Sequence, residues 1–173
     1  MIDTLKLIHS TFAQLLAEDE SKLTVQNISE RAGISRNTFY YYYESIEPLA
    51  AKVLGDWLDG GSAPAENLHD CLVPVIERCL AHRTEIMRLC RSSYRHVLMS
   101  RLHTLLAERL TKFLHARLSG LQPLEISEEL ELNDHILTGF LTHWLEKNMS
   151  YDLRRYTSRL DTDFARLYPP REQ

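Results

Sequence analysis

The sequence has few cysteines and no long apolar run. Its three cysteines, Cys71, Cys79 and Cys90, form neither a CxxC pair nor an even set, which argues against a disulfide framework. No apolar segment approaches the roughly 20 residues that a helix needs to cross a bilayer, and no signal peptide is recognisable. These absences predict a cytoplasmic protein that is kept in a reducing compartment and has no membrane partner.

Signatures of catalysis and of metal binding are also missing. The sequence has no phosphate loop, no nucleophile elbow and no metal-binding box, and its carboxylates stand beside Arg or Lys as on solvated helix faces. Among the eight histidines, His135 and His143 are eight residues apart, and His69 lies near Cys71 without a third partner. We therefore expect neither an enzyme nor a bound metal or cofactor.

Positive charge is scarce for a protein that would bind nucleic acid. The net charge is −4, and the first 58 residues hold five Lys or Arg against eight Asp or Glu. A basic face is the usual electrostatic footprint of DNA binding. The net charge of a domain decides less than its local sequence motifs, because DNA contacts depend on which few groups face the phosphates.

What the sequence does have is helical periodicity throughout. Residues 3 to 18 place an apolar stripe on one helix face, and further helices are predicted near 65–81, 84–91, 94–118, 127–148 and 152–168. No segment alternates as a strand does. We predict an all-α protein of about nine helices, divided near Gly60–Pro64 into an N-terminal domain (1–58) and a C-terminal helical domain (59–173).

Two short helices joined by a tight turn are predicted between Thr24 and Tyr43. Thr24 can cap the first helix, Gly33 permits a turn with positive φ, and Ser35 can cap the second helix. Phe39 and Tyr43, four residues apart, would point inward from the second helix. The pattern indicates a helix-turn-helix motif within a three-helix domain.

The opposite face of the second helix is polar and aromatic. Tyrosine hydroxyls can donate to phosphate oxygens, and their rings can contact thymine methyl groups. A solvated helix face is the alternative, although four consecutive tyrosines are an unusual way to build one. We predict a DNA-binding surface made of Thr24, Gln26, Ser35, Arg36, Asn37, Thr38, Tyr40, Tyr41 and Tyr42.

This stretch resembles the DNA-binding domain of the TetR/AcrR family of transcriptional regulators. Residues 28–35 read I-S-E-R-A-G-I-S and residues 38–49 read T-F-Y-Y-Y-Y-E-S-I-E-P-L, where the family reads I-A-x-x-A-G-V-S and T-L-Y-x-Y-F-x-x-K-E-x-L. The resemblance covers roughly residues 3 to 58. Glu44 and Ile46 stand where the family usually carries lysines near DNA phosphates, so position 46 is expected beside a phosphate.

The resemblance implies a homodimeric transcriptional regulator, usually a repressor, that binds a palindromic operator in double-stranded DNA. An unknown small-molecule effector would bind the C-terminal domain, and the last two helices would form a four-helix bundle with a second copy. The layout of the family suggests a ligand pocket at Trp57, Met87, Cys90, Tyr94 and Leu98, each of which is equally compatible with plain core.

The dimer is expected on the helix that contains Gly139. A glycine inside a helix costs about 1 kcal/mol relative to alanine, which a close approach of another helix could offset. The implied interface is Ile136, Gly139, Phe140, His143 and Trp144, with packing inside one chain as the alternative. Two other functions stay open from the sequence: a protein-binding adaptor on the same fold with weakened DNA contact, and a pure ligand-binding module.

Overall fold

The computed structural model describes residues 3–59, 67–117 and 123–167, and over these ranges every regular element is helical. The predictions of an all-α fold and of about nine helices are confirmed. A short 3-10 helix, Glu20–Lys22, precedes α2. The helices are α1 (Thr4–Glu18), α2 (Val25–Ala32), α3 (Arg36–Tyr42), α4 (Ile46–Leu58), α5 (Leu68–Ala81), α6 (Arg83–Arg91), α7 (Arg95–Arg117), α8 (Pro123–Glu146) and α9 (Leu153–Leu167).

The chain divides into two compact units. The first consists of Met1–Leu58 together with His82–Arg101, and the second of Asp59–Ala81 together with Leu102–Gln173. α6 and the start of α7 therefore belong to the same unit as the N-terminal helices, an association that the sequence did not predict. The functional division into 1–58 and 59–173 stays a prediction.

α1 organises the core of the first unit. Asp3 caps it by accepting a hydrogen bond from the backbone N–H of Leu5. The helix packs against α2, α4 and α6. It does so through the stripe that the sequence predicts, whose fully or almost fully buried members are Ile8, Phe12, Leu15 and Leu16. Burial of such side chains stabilises a fold by about 1.5–3 kcal/mol each, so this stripe holds the first unit together.

In the second unit, α5 packs along α9. The backbone N–H of Leu68, at the start of α5, donates to Asp161 Oδ1 of α9 at 2.8 Å. This carboxylate thus serves as a cap from another helix. Trp144 on α8 is completely buried, and its indole N–H donates to the carbonyl of Tyr151 at 2.8 Å in the turn that leads to α9.

Candidate nucleic-acid interface

The two helices of the motif are set by the caps that the sequence predicts. Thr24 Oγ1 accepts from the backbone N–H of Asn27 at 3.1 Å, which starts α2. Gly33 ends α2 at φ +64° and ψ +33°, a left-handed conformation that favours glycine. Ser35 Oγ then accepts from the backbone N–H of Thr38 at 3.0 Å and starts α3. The helix-turn-helix follows directly from these local choices.

The inner side of α3 is an aromatic anchor. Phe39 is completely buried, and its ring lies 6.2 Å from the ring of Tyr43. Tyr43 is half-buried and ends α3 as its C-cap, because its backbone N–H donates to the carbonyl of Phe39. The predicted inward orientation of both residues agrees with the structure, although the helix ends one residue earlier than expected.

The outer side of α3 presents three tyrosine rings and a cation to solvent. Tyr41 is 83% exposed, and Tyr40 and Tyr42 are also exposed. The rings of Tyr41 and Tyr42 meet edge to face with centroids 5.1 Å apart. Arg36 is exposed at the start of the helix, and within residues 3–59, 67–117 and 123–167 its guanidinium has no ion pair or hydrogen bond. These side chains are therefore available to an external partner.

The remaining predicted residues lie beside this face, and some of their side chains already make hydrogen bonds within the chain. Asn37 is exposed and Thr38 is half-buried, with Thr38 Oγ1 2.8 Å from Ser35 Oγ. Gln26 and Thr24 are exposed at the start of α2. The Gln26 amide donates to Glu30 Oε1 at 2.9 Å, so binding phosphate through this amide would break that contact.

The structure corrects the expectation for Ile46. Its side chain is 4% exposed at the first residue of α4, within the core of the first unit, and it therefore cannot lie beside a phosphate. Glu44, two residues earlier, is exposed. Of the two positions that depart from the family pattern, only Glu44 places a side chain on the surface.

The charge of the first unit differs from that of the first 58 residues. Residues 82–101 contribute five arginines and one glutamate, which changes the net charge of the unit from −3 to +1. Two acidic groups of this unit are also paired with bases. Arg31 donates to both carboxylate oxygens of Glu18 at 2.8 and 2.9 Å, which lowers the pKa of Glu18, and Lys52 pairs with Asp56 at 2.8 Å. The mild charge argument against DNA therefore weakens.

Comparisons with known proteins identify this domain. Residues 7–53 match the family model described as bacterial regulatory proteins, tetR family. The N-terminal domain belongs to this family. The predicted resemblance to the TetR family is confirmed for this domain, which is of the DNA-binding type found in transcriptional regulators. No curated protein matched the sequence.

A solved structure shares the fold over almost the whole length. It is titled "Dihydroxyacetone kinase operon activator DhaS", and the likeness covers 97% of this chain and 99% of that chain at a TM-score of 0.67. The sequence identity is 16%, so the likeness concerns the fold. The second unit is thus also similar in fold to part of a solved regulator.

The residues suggested for a dimer interface divide into two groups. Ile136 is 41% exposed, Gly139 and His143 are exposed, and Phe140 is half-buried. Trp144 is completely buried within its own chain, so we remove it from the candidate interface. A Cβ built on Gly139 would have no neighbour within 4 Å, so no packing contact among the described residues accounts for this glycine.

The residues suggested for a ligand pocket all lie in the first unit and pack there. Leu98 is completely buried, and the Trp57 ring stacks on His82 at 4.6 Å. The Tyr94 hydroxyl donates to the carbonyl of Leu23 at 3.4 Å. Burial raises the pKa of Cys90, as expected for a thiol in apolar surroundings. Met87, on the same helix as Cys90, is half-buried.

An apolar cavity lies in the second unit instead. Its volume is about 20 Å³, close to the space that one water molecule occupies. α5, α7, α8 and α9 enclose it, and Thr157 is its one polar lining residue, with Oγ1 2.8 Å from His69 Nδ1. The lining residues are Leu72, Val75, Ile76, Leu106, Leu137, Phe140, Leu141, Leu153, Thr157 and Leu160.

None of the helices formed by residues 3–59, 67–117 and 123–167 combines the length and the apolar composition that a membrane-spanning helix requires.

Proposed function

We propose that this protein is a homodimeric repressor that binds a palindromic operator through α3 and responds to a small molecule in its second unit. The family match supports the general statement that it is a DNA-binding transcriptional regulator. The more detailed proposal starts from the outer side of α3. A cluster of exposed aromatic rings is unusual on a surface that faces only water, and these rings have an arginine beside them.

The chemistry of this face suits the major groove. An arginine can bind O6 and N7 of guanine with two hydrogen bonds, and a tyrosine ring can contact a thymine methyl group. Arg36, at the first turn of α3, and Tyr41, the most exposed ring, are therefore proposed as base readers. Thr24 and Gln26 at the start of α2 are proposed to contact phosphates, which fix the register of the protein without reading sequence.

A second copy is proposed to pack on the outer side of α8. Leu132 is 56% exposed, and Ile136 and Gly139 continue the same helix face. A two-fold dimer would carry two copies of α3, and its operator would be a palindrome with half-sites separated by one or more helical turns of about 34 Å each.

Effector control is proposed for the cavity of the second unit rather than for the residues first suggested. The cavity is apolar, and Phe140 of α8, the helix proposed to contact a second copy, lines it. The effector would therefore be small and mostly apolar, and its binding would enlarge the cavity. Such a ligand changes DNA affinity only to the extent that it binds the two states of the protein differently.

Activation is the second candidate for the sign of regulation. The structural neighbour is named as an operon activator, although at this identity the likeness concerns the fold alone. The adaptor alternative has less support, because the family match falls on the DNA-binding domain itself. Expression of a reporter behind the bound operator, with and without the protein, distinguishes repression from activation.

The experiment that tests this function is selection of genomic DNA fragments with the purified protein, read by sequencing. We expect a palindromic motif to be enriched. Tyr41→Ala should abolish the enrichment, while Tyr156→Ala should leave it unchanged. Tyr156 is a suitable control because it is also an exposed tyrosine, at 49%, but lies on α9. Equal recovery of all fragments by wild type and both variants would contradict sequence-specific binding.

A further inference from the structure

A side-chain contact links α1 to the end of α3. His9 Nε2 on α1 lies 2.5 Å from the hydroxyl of Tyr43, the residue whose backbone N–H makes the last hydrogen bond of α3. The His9 and Tyr43 rings also touch, with centroids 5.9 Å apart. The family motif carries Phe at position 43, so the hydroxyl is a departure of this chain from the motif.

Two charged groups of α4 lie on the other side of the histidine. Asp56 Oδ2 is 3.7 Å from His9 Nδ1, and Asp56 Oδ1 accepts from Lys52 Nζ at 2.8 Å. Asp3, which precedes α1, contributes a weaker negative charge near the ring. His9 therefore lies between the end of α3 and the charged pair on α4.

The burial of the ring favours a neutral histidine. Burial lowers the pKa of His9, Asp56 partly opposes this effect and Lys52 reinforces it. Burial also raises the pKa of the Tyr43 phenol, which stays protonated near neutral pH. The phenol O–H then donates to Nε2, and Nδ1 carries the hydrogen that faces Asp56.

We propose that His9 is a positioning residue for α3, and that its contact with Tyr43 makes operator binding sensitive to pH. The proposal rests on the function proposed above. Protonation gives Nε2 its own hydrogen, so Tyr43 can then only accept from it and the phenol hydrogen has to turn away. The new positive charge also draws the ring toward Asp56. The reversed bond competes with the attraction of the ring to Asp56, so the side-chain link between the end of α3 and α1 weakens.

The direction of the pH effect follows from the lowered pKa. The unfolded chain binds the proton near the ordinary histidine pKa of 6.5, and the folded chain binds it at lower pH. The contribution of neutral His9 is complete above about pH 6.5 and is lost as the pH falls through its folded pKa. The order of α3 should therefore decrease on acidification.

Amide hydrogen exchange of the free protein tests the link without DNA. After correction for the intrinsic pH dependence of exchange, we compare protection of residues 39–43 at pH 7.5 and 5.5. Tyr43→Phe removes only the hydroxyl, and His9→Gln keeps an acceptor near the position of Nε2 but cannot titrate. His135→Gln, at an exposed histidine on α8, is the control for loss of a titrating group.

The expected results differ among the four proteins. At pH 7.5, Tyr43→Phe should exchange about 2- to 10-fold faster at α3 than wild type, the usual effect of one hydrogen bond. Between pH 7.5 and 5.5, wild type and His135→Gln should move toward this rate, while His9→Gln should keep its protection. Equal protection in all four proteins at both pH values would overturn the proposal.

Affinity for the selected operator duplex shows whether the link matters for function. Tyr43→Phe should bind about 2- to 10-fold more weakly at pH 7.5, and the affinity of wild type should fall relative to that of His9→Gln as the pH is lowered to 5.5. Identical affinities of these three proteins would overturn the role of His9 in binding. If wild type bound no duplex, the proposed function would fail, and the exchange results alone would decide whether His9 positions α3.

Discussion

α3 and α8 both expose large apolar side chains, but they differ in what accompanies them. On α3 the exposed groups are tyrosines with hydroxyls at their tips, next to Arg36. On α8 they are the aliphatic Leu132 and Ile136, next to Gly139, which has open space around it. A tyrosine offers a hydrogen bond as well as a ring, whereas leucine and isoleucine offer only area to be removed from water.

The difference indicates two kinds of partner. A face of hydroxyls, rings and a guanidinium matches phosphates and base edges. Interfaces of this kind retain ordered water molecules. An aliphatic face with a glycine matches another protein surface that excludes water and comes close to the helix backbone. We therefore propose DNA as the partner of α3 and a second copy of the chain as the partner of α8.

The largest expected effect comes from a charge on the α8 face. Ile136→Asp would bury an unpaired carboxylate in the proposed interface, which costs about 3–5 kcal/mol, or at least 100-fold in dimer affinity. Because Ile136 is exposed in the single chain, the fold should persist. Sedimentation at tens of micromolar should show dimeric wild type and monomeric Ile136→Asp.

Thr104→Asp is the matched control, since it places the same charge at an exposed position of the second unit on α7. It should remain dimeric. A dimeric Ile136→Asp, or a monomeric wild type, would show that α8 is not the interface.

The next effect concerns base readout by α3. Arg36→Ala should cost about 1–3 kcal/mol at the operator positions where Arg36 binds a guanine, and it should relax base preference at those positions. Affinity measured across single-base variants of the operator checks this. An equal loss of affinity for every sequence would instead make Arg36 a phosphate contact.

A smaller effect, with an informative sign, is expected at the glycine of α8. Without a neighbour, Gly139→Ala should stabilise the helix by about 0.5–1 kcal/mol, because alanine has the higher helix propensity. If a second copy packs closely, the added methyl group should weaken the dimer. We expect a more stable monomer by denaturant unfolding at high dilution and a weaker dimer by sedimentation. An unchanged dimer affinity would place Gly139 outside the contact.

The smallest effect tests the edge of the α3 face. Glu44→Lys should strengthen binding to any duplex and leave base preference unchanged. It should steepen log K against log salt by about 0.9 for each phosphate neutralised, or about 1.8 for a dimer. Asp59→Lys, at an exposed acid beyond the end of α4, is the charge-matched control. Equal slopes for the two variants would indicate that Glu44 does not lie near DNA.

Local sequence rules predicted the helix-turn-helix motif, whereas features that depend on long-range packing could not be predicted. The caps at Thr24 and Ser35, the turn at Gly33 and the inward Phe39 depend on neighbouring residues, so the sequence contains enough information to place them. The burial of Ile46 depends on how α4 packs in the unit. Family spacing suggested a surface position for it, although an isoleucine that starts an apolar helix face is itself a sign of burial.

The packing of the second unit was harder to predict from the sequence for the same reason. The apolar periodicity predicted its helices. An apolar helix face has the same sequence pattern, however, whether it packs against its own chain or against a second copy. Trp144 and Ile136 fall on the same predicted apolar helix, yet one is buried and the other exposed. The contact between His9 and Tyr43, 34 residues apart, has no local signal beyond a polar residue on an otherwise apolar helix.

The assignment of the two faces is tested most directly by amide hydrogen exchange at two protein concentrations, each with and without the selected duplex. Exchange in α3, residues 36–42, should slow when DNA is added, at either concentration. Exchange in α8, residues 132–143, should slow when the protein is concentrated enough to dimerise, even without DNA. Slower exchange of α8 on DNA addition, together with unchanged exchange of α3, would contradict the account.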